Sequence, residues 1–307
     1  MVRSERSELA VPGSNRRMIE KALASEADIA FLDLEDAVAP SEKARARELV
    51  IAAIRGDDWQ DKPRAFRING LDTEYCYRDL VDVVEAAGDR LDLIVVPKVQ
   101  RPEDVYLLAT LLTQIESACG IQHRIGLEVQ IESAEGLINC ERIAAASPRV
   151  EAIIFGPGDF AASMAMPQTQ IGVPDEWDDL YGSHRWHYVM SKIVVAGRAA
   201  GIRVIDGPYA DFRNETGFRR SCQMARSLGF DGKWCIHPAQ IAVANSVFEP
   251  TEAEVGWARQ VVESYRTAQS SGFGAIAIDG KMIDAASIRM AERTLASAES
   301  IAARQTS

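Results

Sequence analysis

The sequence predicts an α/β protein, a (β/α)8 TIM barrel with a C-terminal helical lid or extension. Three observations carry that expectation. Eight short β-rich runs alternate with segments of helical period along the 307 residues. An ionisable or strongly polar residue stands just after every run. No G-x-G-x-x-G follows the first run, which counts against the dinucleotide-binding form of the main alternative, an open doubly wound sheet. The chain is about twice as long as a typical domain, a length that a single α/β barrel accommodates.

In chain order the expected strands are 8–11, 29–34, 64–68, 91–96, 125–131, 152–155, 202–205 and 234–236. Between them the helical period runs over 14–25, 41–54, 73–87, 102–118, 134–146 and 185–200. Several of these helices open on Ser or Thr or carry Pro in the first turn, as helix starts do. After the eighth strand a helix at 251–268 leads to a Gly-rich loop, SSGFGAIAIDGKMID, and a last helix at 285–303. The expected division is therefore a catalytic barrel at 1–250 and a lid and oligomerisation extension at 251–307. A barrel does not need such a tail for its own closure.

Apolar residues make up 47% and charged residues 26%, an ordinary globular composition with enough apolar material for a large core. The formal charge of −11 argues against nucleic acid as a partner, because phosphates demand a basic footprint. No apolar run reaches the length of a membrane helix, and the opening MVRSERSELAV lacks a hydrophobic signal region. The five cysteines form no C-x-x-C pair, so neither a disulfide framework nor a zinc ribbon is expected. The expected compartment is a reducing cytoplasm, with most thiols serving as small core residues.

In a barrel the active site lies where the strands end. The ends here are Pro12-Gly13-Ser14, Asp33 through Asp36, Arg67 through Gly70, Pro97-Lys98, Glu132, Gly156 through Asp159, Asp206-Gly207 and His237-Pro238. Within GLEVQIESAEG, Leu127, Val129 and Ile131 alternate with Glu128 and Gln130, and the run then closes on Glu132. Glu132 and Asp159 follow adjacent strands, and two such carboxylates suit Mg²⁺, which keeps several waters. Each alone would also serve as a favourable charge at a helix start. Gly156 and Gly158, just ahead of Asp159, leave room for a ligand.

Arg67 ends an otherwise apolar strand, where its fork would clamp a carboxylate or offset enolate charge while pairing with Glu35 or Asp36. The stretch AVPGSNRR places cations behind a helix start, an arrangement shared by anion sites and by solvated surface helices. His184 and His187 stand at i, i+3, but no third ligand has fitting spacing for zinc. Lys98 invites comparison with Schiff-base lysines, yet the acidic surroundings would raise its pKa and so disfavour covalent chemistry.

The strings VPGS, LDLEDAVAP…K, RINGLDT, VPKV, IESAEG, GPGDFAASM, DGP, GKWCIHPAQ and GKMIDAASI…AE occur in this order over nearly the whole chain. They resemble the HpcH/HpaI aldolase and citrate lyase beta-subunit superfamily, and within it the malyl-CoA and β-methylmalyl-CoA lyases. The resemblance implies a trimeric or hexameric (β/α)8 barrel that uses Mg²⁺, or Mn²⁺, to cleave a 3-hydroxyacyl-CoA thioester to glyoxylate and acetyl- or propionyl-CoA. It implies Glu132 and Asp159 as metal ligands and Arg67 on glyoxylate, with Glu35 and Asp36 beside it. It further implies Asp284 as an acid/base reaching a neighbouring subunit's site, and Arg16, Arg17, Lys21 and Gly158 around the CoA ester. Relatives often carry Arg where this chain has Asn15, followed by Arg16 and Arg17, so the resemblance does not single out one of these cations for the CoA phosphates. Gly272, Gly274 and Gly280 are candidate lid hinges. A related citramalyl-CoA lyase or malyl-CoA thioesterase would share the metal site and differ in the lid.

Overall fold

Parallel strands that alternate with helices must bury both of their faces, and here they do so by closing into a ring. The computed structural model describes residues 5–182, 184–270 and 274–305. The strands are β1 (Ser7–Pro12), β2 (Ile29–Asp33), β3 (Arg64–Arg67), β4 (Leu93–Val96), β5 (Gly126–Ile131), β6 (Val150–Phe155), β7 (Arg203–Asp206) and β8 (Gly232–Cys235), joined in that order as a closed barrel. All eight expected runs are strands, and β1 pairs with β8 to shut the ring.

The helices that follow are α1 (Arg16–Leu23), α2 (Lys43–Arg55), α3 (Cys76–Ala87), α4 (Pro102–Cys119), α5 (Ala134–Ala144), α6 (Pro157–Ser163), α7 (Glu176–Asp179), α8 (His187–Ala200), α9 (Glu215–Leu228) and α10 (Ile241–Phe248). Their ends follow local chemistry. Asn15, Ser133 and Asn214 accept backbone N–H bonds as N-caps of α1, α5 and α9. Left-handed Gly120, Gly201 and Gly229 close α4, α8 and α9.

Inside the ring, Ile29, Phe31, Ala65, Leu93, Val95, Ala152, Ile154, Ile205 and Trp234 form a packed core. Their two-residue spacing marks the inward face of each strand. On β5 that face carries Glu128, Gln130 and Glu132, so the apolar Leu127, Val129 and Ile131 pack outward against helices. The carboxylate at the end of β5 thus continues a polar inward row. At the barrel floor Glu8 and Glu128, on opposite sides of the ring, meet with Glu5 within 4.8 Å. Trp234 donates Nε1–H to Glu8 at 2.7 Å, and Arg203 pairs with Glu5, Glu128 and Glu151.

The described chain divides into two compact units, residues 5–245 and residues from Ser246 onward. The second contains α11 (Glu252–Ser270), the strands β9 (Ile276–Ile278) and β10 (Lys281–Ile283), and α12 (Ala285–Gln305). Its own core is Ala258, Val261, Val262, Ile278, Ile283 and Ala291. The segment expected to be a Gly-rich loop therefore contains an antiparallel hairpin. Asp279 (φ 48°) and Gly280 (φ 75°) form its left-handed two-residue turn, the Asp-Gly signature of tight hairpins. Gly280 is accordingly a turn residue rather than a hinge, and Gly272 lies outside the described residues.

Candidate active site

The inward positions at the C-terminal ends of β2 and β3 bring Asp33 opposite Arg67 in register. Arg67 donates Nε to Asp33 Oδ1 and Nη2 to Asp33 Oδ2, both at 2.7 Å, a side-on bidentate pair. Asp33 also accepts from the backbone N–H of Glu35 at 2.8 Å and of Ala37 at 3.1 Å. Burial opposes the charge on Asp33, but Arg67 and these bonds outweigh it and hold the carboxyl below its ordinary range. Burial likewise opposes the charge on Arg67, yet Asp33, then Glu35 and Glu132, keep its pKa above the ordinary value.

Arg67 Nη1 reaches Glu35 Oε2 at 2.8 Å, and Lys98 Nζ reaches Glu35 Oε1 at 2.8 Å. Asp36, expected beside Arg67, is largely exposed and lies 3.7 Å from Lys98 Nζ. The near partner of Arg67 that pattern reading missed is Asp33. Its signal was present: it stands two residues after Phe31 on the inward face. Underneath, buried Lys43 donates to the carbonyls of Leu34 and Glu35 and to Asn69, which is itself held by Asp79. This locks the loop that carries Glu35.

Glu132 is 3% exposed, and both its oxygens are aimed. Oε1 accepts from the backbone N–H of Lys98 at 2.6 Å, and Oε2 from Gln130 Nε2 at 2.7 Å. Lys98 adopts a left-handed backbone, φ 54°, to present that N–H. A Cβ on Gly156 would sit 2.6 Å from Glu132, so only glycine admits this carboxylate. Burial, then Glu35 and Asp159, pushes the Glu132 carboxyl well above its usual range. Such a preoriented oxygen donor, with Asp159 half-buried in the first turn of α6, fits a hard divalent cation. Gly158 and Asp159 line a cavity of about 370 Å³ with Met166, Thr169 and Ile171. The space beside Gly158 is taken by Ile171, 3.1 Å from an added Cβ, so its lack of a side chain serves packing.

The other strand ends do not converge here. Asp206 points outward and forms a buried ion pair with Lys233, beside a second cavity against the outer face of β6 to β8. His237 caps the turn that follows it and stacks on Phe212 at 4.6 Å. His184 and His187 rings meet edge to face at 5.5 Å, and burial lowers the His184 pKa. Among the described residues, three or more ligand-type groups converge within 4.8 Å only at Glu5, Glu8 and Glu128, where Arg203 already supplies a cation. Burial raises the pKa of Lys98's partner Glu35, while Lys98 itself, opposed by burial, is held above its ordinary value by Glu35 and Asp36. The Lys98 ammonium is thus engaged as an ion-pair partner of Glu35.

Arg16, Arg17 and Lys21 are exposed on α1, with Arg16 paired to Glu20 at 3.2 Å. Gly13 lets the preceding loop lie against β2, its N–H on Asp33 O at 2.8 Å where a Cβ would come within 2.7 Å. Asp284 belongs to the C-terminal unit and caps α12, accepting from Ala286 N at 2.9 Å and from Ser287 N at 3.1 Å. These bonds hold its pKa below the ordinary value. Four of the five cysteines are buried, and burial pushes Cys76 and Cys222 up to about 12.

A family profile described as HpcH/HpaI aldolase/citrate lyase matches residues 6–238. An L-malyl-CoA/β-methylmalyl-CoA lyase of Cereibacter sphaeroides is 46% identical over 98% of this chain and 96% of its own. A (3S)-malyl-CoA thioesterase of the same species is 37% identical over 97% of this chain and 96% of its own. The structure of CitE from Mycobacterium tuberculosis, in complex with magnesium, acetoacetate and coenzyme A, superposes with a TM-score of 0.77. It is 26% identical and covers 97% of this chain and all of that one.

Proposed function

The chain belongs to the HpcH/HpaI aldolase/citrate lyase family, and on that premise we propose that its barrel mouth is a Mg²⁺-dependent carbon–carbon lyase. The reaction is reversible cleavage of (S)-malyl-CoA or β-methylmalyl-CoA to glyoxylate plus acetyl-CoA or propionyl-CoA. The observation that carries this reading is the facing pair of a buried, hydrogen-bonded Glu132 and an Arg67 locked by Asp33. The 46% identical lyase and the magnesium and coenzyme A of the M. tuberculosis neighbour support it.

Glu132 and Asp159 would hold Mg²⁺, and Mn²⁺ suits the same oxygen donors. The ion supplies Lewis-acid polarisation of the oxygen that becomes the glyoxylate carbonyl. A guanidinium has five N–H donors. Asp33 takes two of Arg67's, Glu35 forms an ion pair with Nη1 at 2.8 Å, and the remaining N–H groups would take the glyoxylate carboxylate. Breaking the C–C bond leaves its electron pair on the acyl-CoA carbon as an enolate. The hydroxyl proton lost as the carbonyl forms balances the proton that Asp284, in its acid form, would give the enolate carbon. In the condensing direction its carboxylate, the form that the α12 cap favours, would remove that proton. Delivery of Asp284 to a neighbouring subunit's mouth, in a homotrimer or homohexamer, completes the reading. The α1 cations, Arg16, Arg17 and Lys21, would meet the CoA phosphates.

The test incubates the protein with malyl-, β-methylmalyl- and citramalyl-CoA in Mg²⁺ and assays glyoxylate, pyruvate, free CoA and malate. Glyoxylate with acetyl-CoA is expected, lost in EDTA and without borohydride trapping at Lys98. Malate with free CoA and no glyoxylate would replace the lyase by a thioesterase. Pyruvate formed in preference to glyoxylate would shift the substrate to citramalyl-CoA.

A further inference from the structure

Each carboxylate oxygen of Glu35 is paired with a separate cation. Lys98 Nζ takes Oε1 and Arg67 Nη1 takes Oε2, each at 2.8 Å. Glu35 is also linked to Glu132, because the residue whose ammonium holds Glu35 donates its backbone N–H to Glu132 Oε1 at 2.6 Å. Glu132 and Glu35 therefore share Lys98, the first through its backbone and the second through its ammonium. The clamp rests on an uncommon backbone, Lys98 at φ 54°. A non-glycine residue in that region costs about 1–2 kcal/mol. Glycine would supply the same N–H to Glu132 without that cost, so the strain is accounted for only by the use of the side chain.

We propose that Lys98 is a positioning residue that withholds Glu35 from the divalent cation, so that Glu132 and Asp159 alone hold the ion and the remaining coordination positions stay open to the 2-oxo acid. The inference rests on the metal reading above. Without the ammonium, Glu35 Oε1 turns to the cation as a third carboxylate. A third charged oxygen tightens the ion and occupies a place the substrate needs. Loss of Lys98 thus strengthens metal binding while weakening catalysis, a combination that plain disruption of the site does not produce.

The test measures Mg²⁺ binding calorimetrically, without substrate, on the intact protein and on Lys98→Met, Lys98→Gly, Lys98→Arg and Lys98→Met/Glu35→Gln. Lys98→Gly relieves the backbone strain and so guards against a folding failure of the methionine variant. Tightening of roughly tenfold is expected in Lys98→Met and Lys98→Gly, on the scale by which outer-shell partners change metal affinity. A higher KM for glyoxylate in the condensing direction should accompany it. Lys98→Arg should stay near the parent, and Glu35→Gln should cancel the tightening. Unchanged or weaker binding in both Lys98→Met and Lys98→Gly overturns the proposal. So does an equal tightening in the Glu35→Gln background, where lost positive charge alone would be responsible. Absence of Mg²⁺ binding by the parent protein would instead overturn the metal reading itself.

Discussion

Replacing Asp33 by Asn keeps the shape of the side chain and removes half of its accepting capacity. Oδ1 receives Arg67 Nε and the Glu35 N–H, while Oδ2 receives Arg67 Nη2 and the Ala37 N–H. An amide oxygen can serve one of those pairs, and the amide nitrogen then faces the donors of the other. One charge-assisted bond is worth about 1.5–3 kcal/mol and one backbone bond about 1 kcal/mol, so the loss is about 2.5–4 kcal/mol. That is a large part of the roughly 5–15 kcal/mol that holds a domain folded. Urea unfolding measures it directly. Asp33 has a folded pKa below its unfolded value, so its contribution is present above the unfolded value, about 3.9, and fades as pH falls through the folded one. The gap between parent and Asp33→Asn should therefore narrow in acid. The Arg67 fork also loses its orienting partner, and kcat/KM should fall roughly 10–100-fold, the usual scale for a lost outer-shell contact. An Asp33→Asn variant within about 0.5 kcal/mol of the parent, with near-normal turnover, would show that Glu35 alone orients Arg67.

Two further predictions address residues away from that pair. Asp284→Ala should abolish turnover while leaving CoA binding, measured by calorimetry, largely intact; near-normal activity would remove Asp284 from the acid/base role. Glu8→Gln should flatten the fall in stability that begins above the unfolded Glu value, about 4.3. Burial, then Glu128, raises the Glu8 pKa well above its ordinary value, against the opposing pull of Trp234 and Arg203. A raised carboxyl contributes stability that is complete below the unfolded value, about 4.3, and is lost as pH rises through the folded value. The parent's urea midpoint should fall on that rise while the Gln variant, still able to accept from Trp234, holds steady. Parallel curves would refute the assignment.

Much of this architecture was legible because strand period, turn residues and helix caps are local. The eight strands fall at the expected runs, and the polar residues after them mark the mouth. The hairpin of β9 and β10 was equally local, signalled by Asp279-Gly280 between alternating apolar residues, and was obscured by the neighbouring glycines. The strand-end rule over-collected. Asp206 and His237 stand after strands just as Glu132 does, yet Asp206 turns outward to Lys233 and His237 to Phe212.

The sequence by itself determined the barrel, its β/α order and the residues available at its rim, Glu132 and Arg67 among them. Only the tertiary structure decided which side of each strand faces inward. Every residue of β5 is buried, by the barrel core on one face and by helices on the other, so alternation of apolar and polar residues does not label the faces. Closure and register then choose the partners. They set Asp33, not Asp36, against Arg67, and they carry the strained Lys98 across from β4 to hold Glu132 with its backbone and Glu35 with its ammonium. Those contacts join residues tens of positions apart, and no local rule of the chain specifies them.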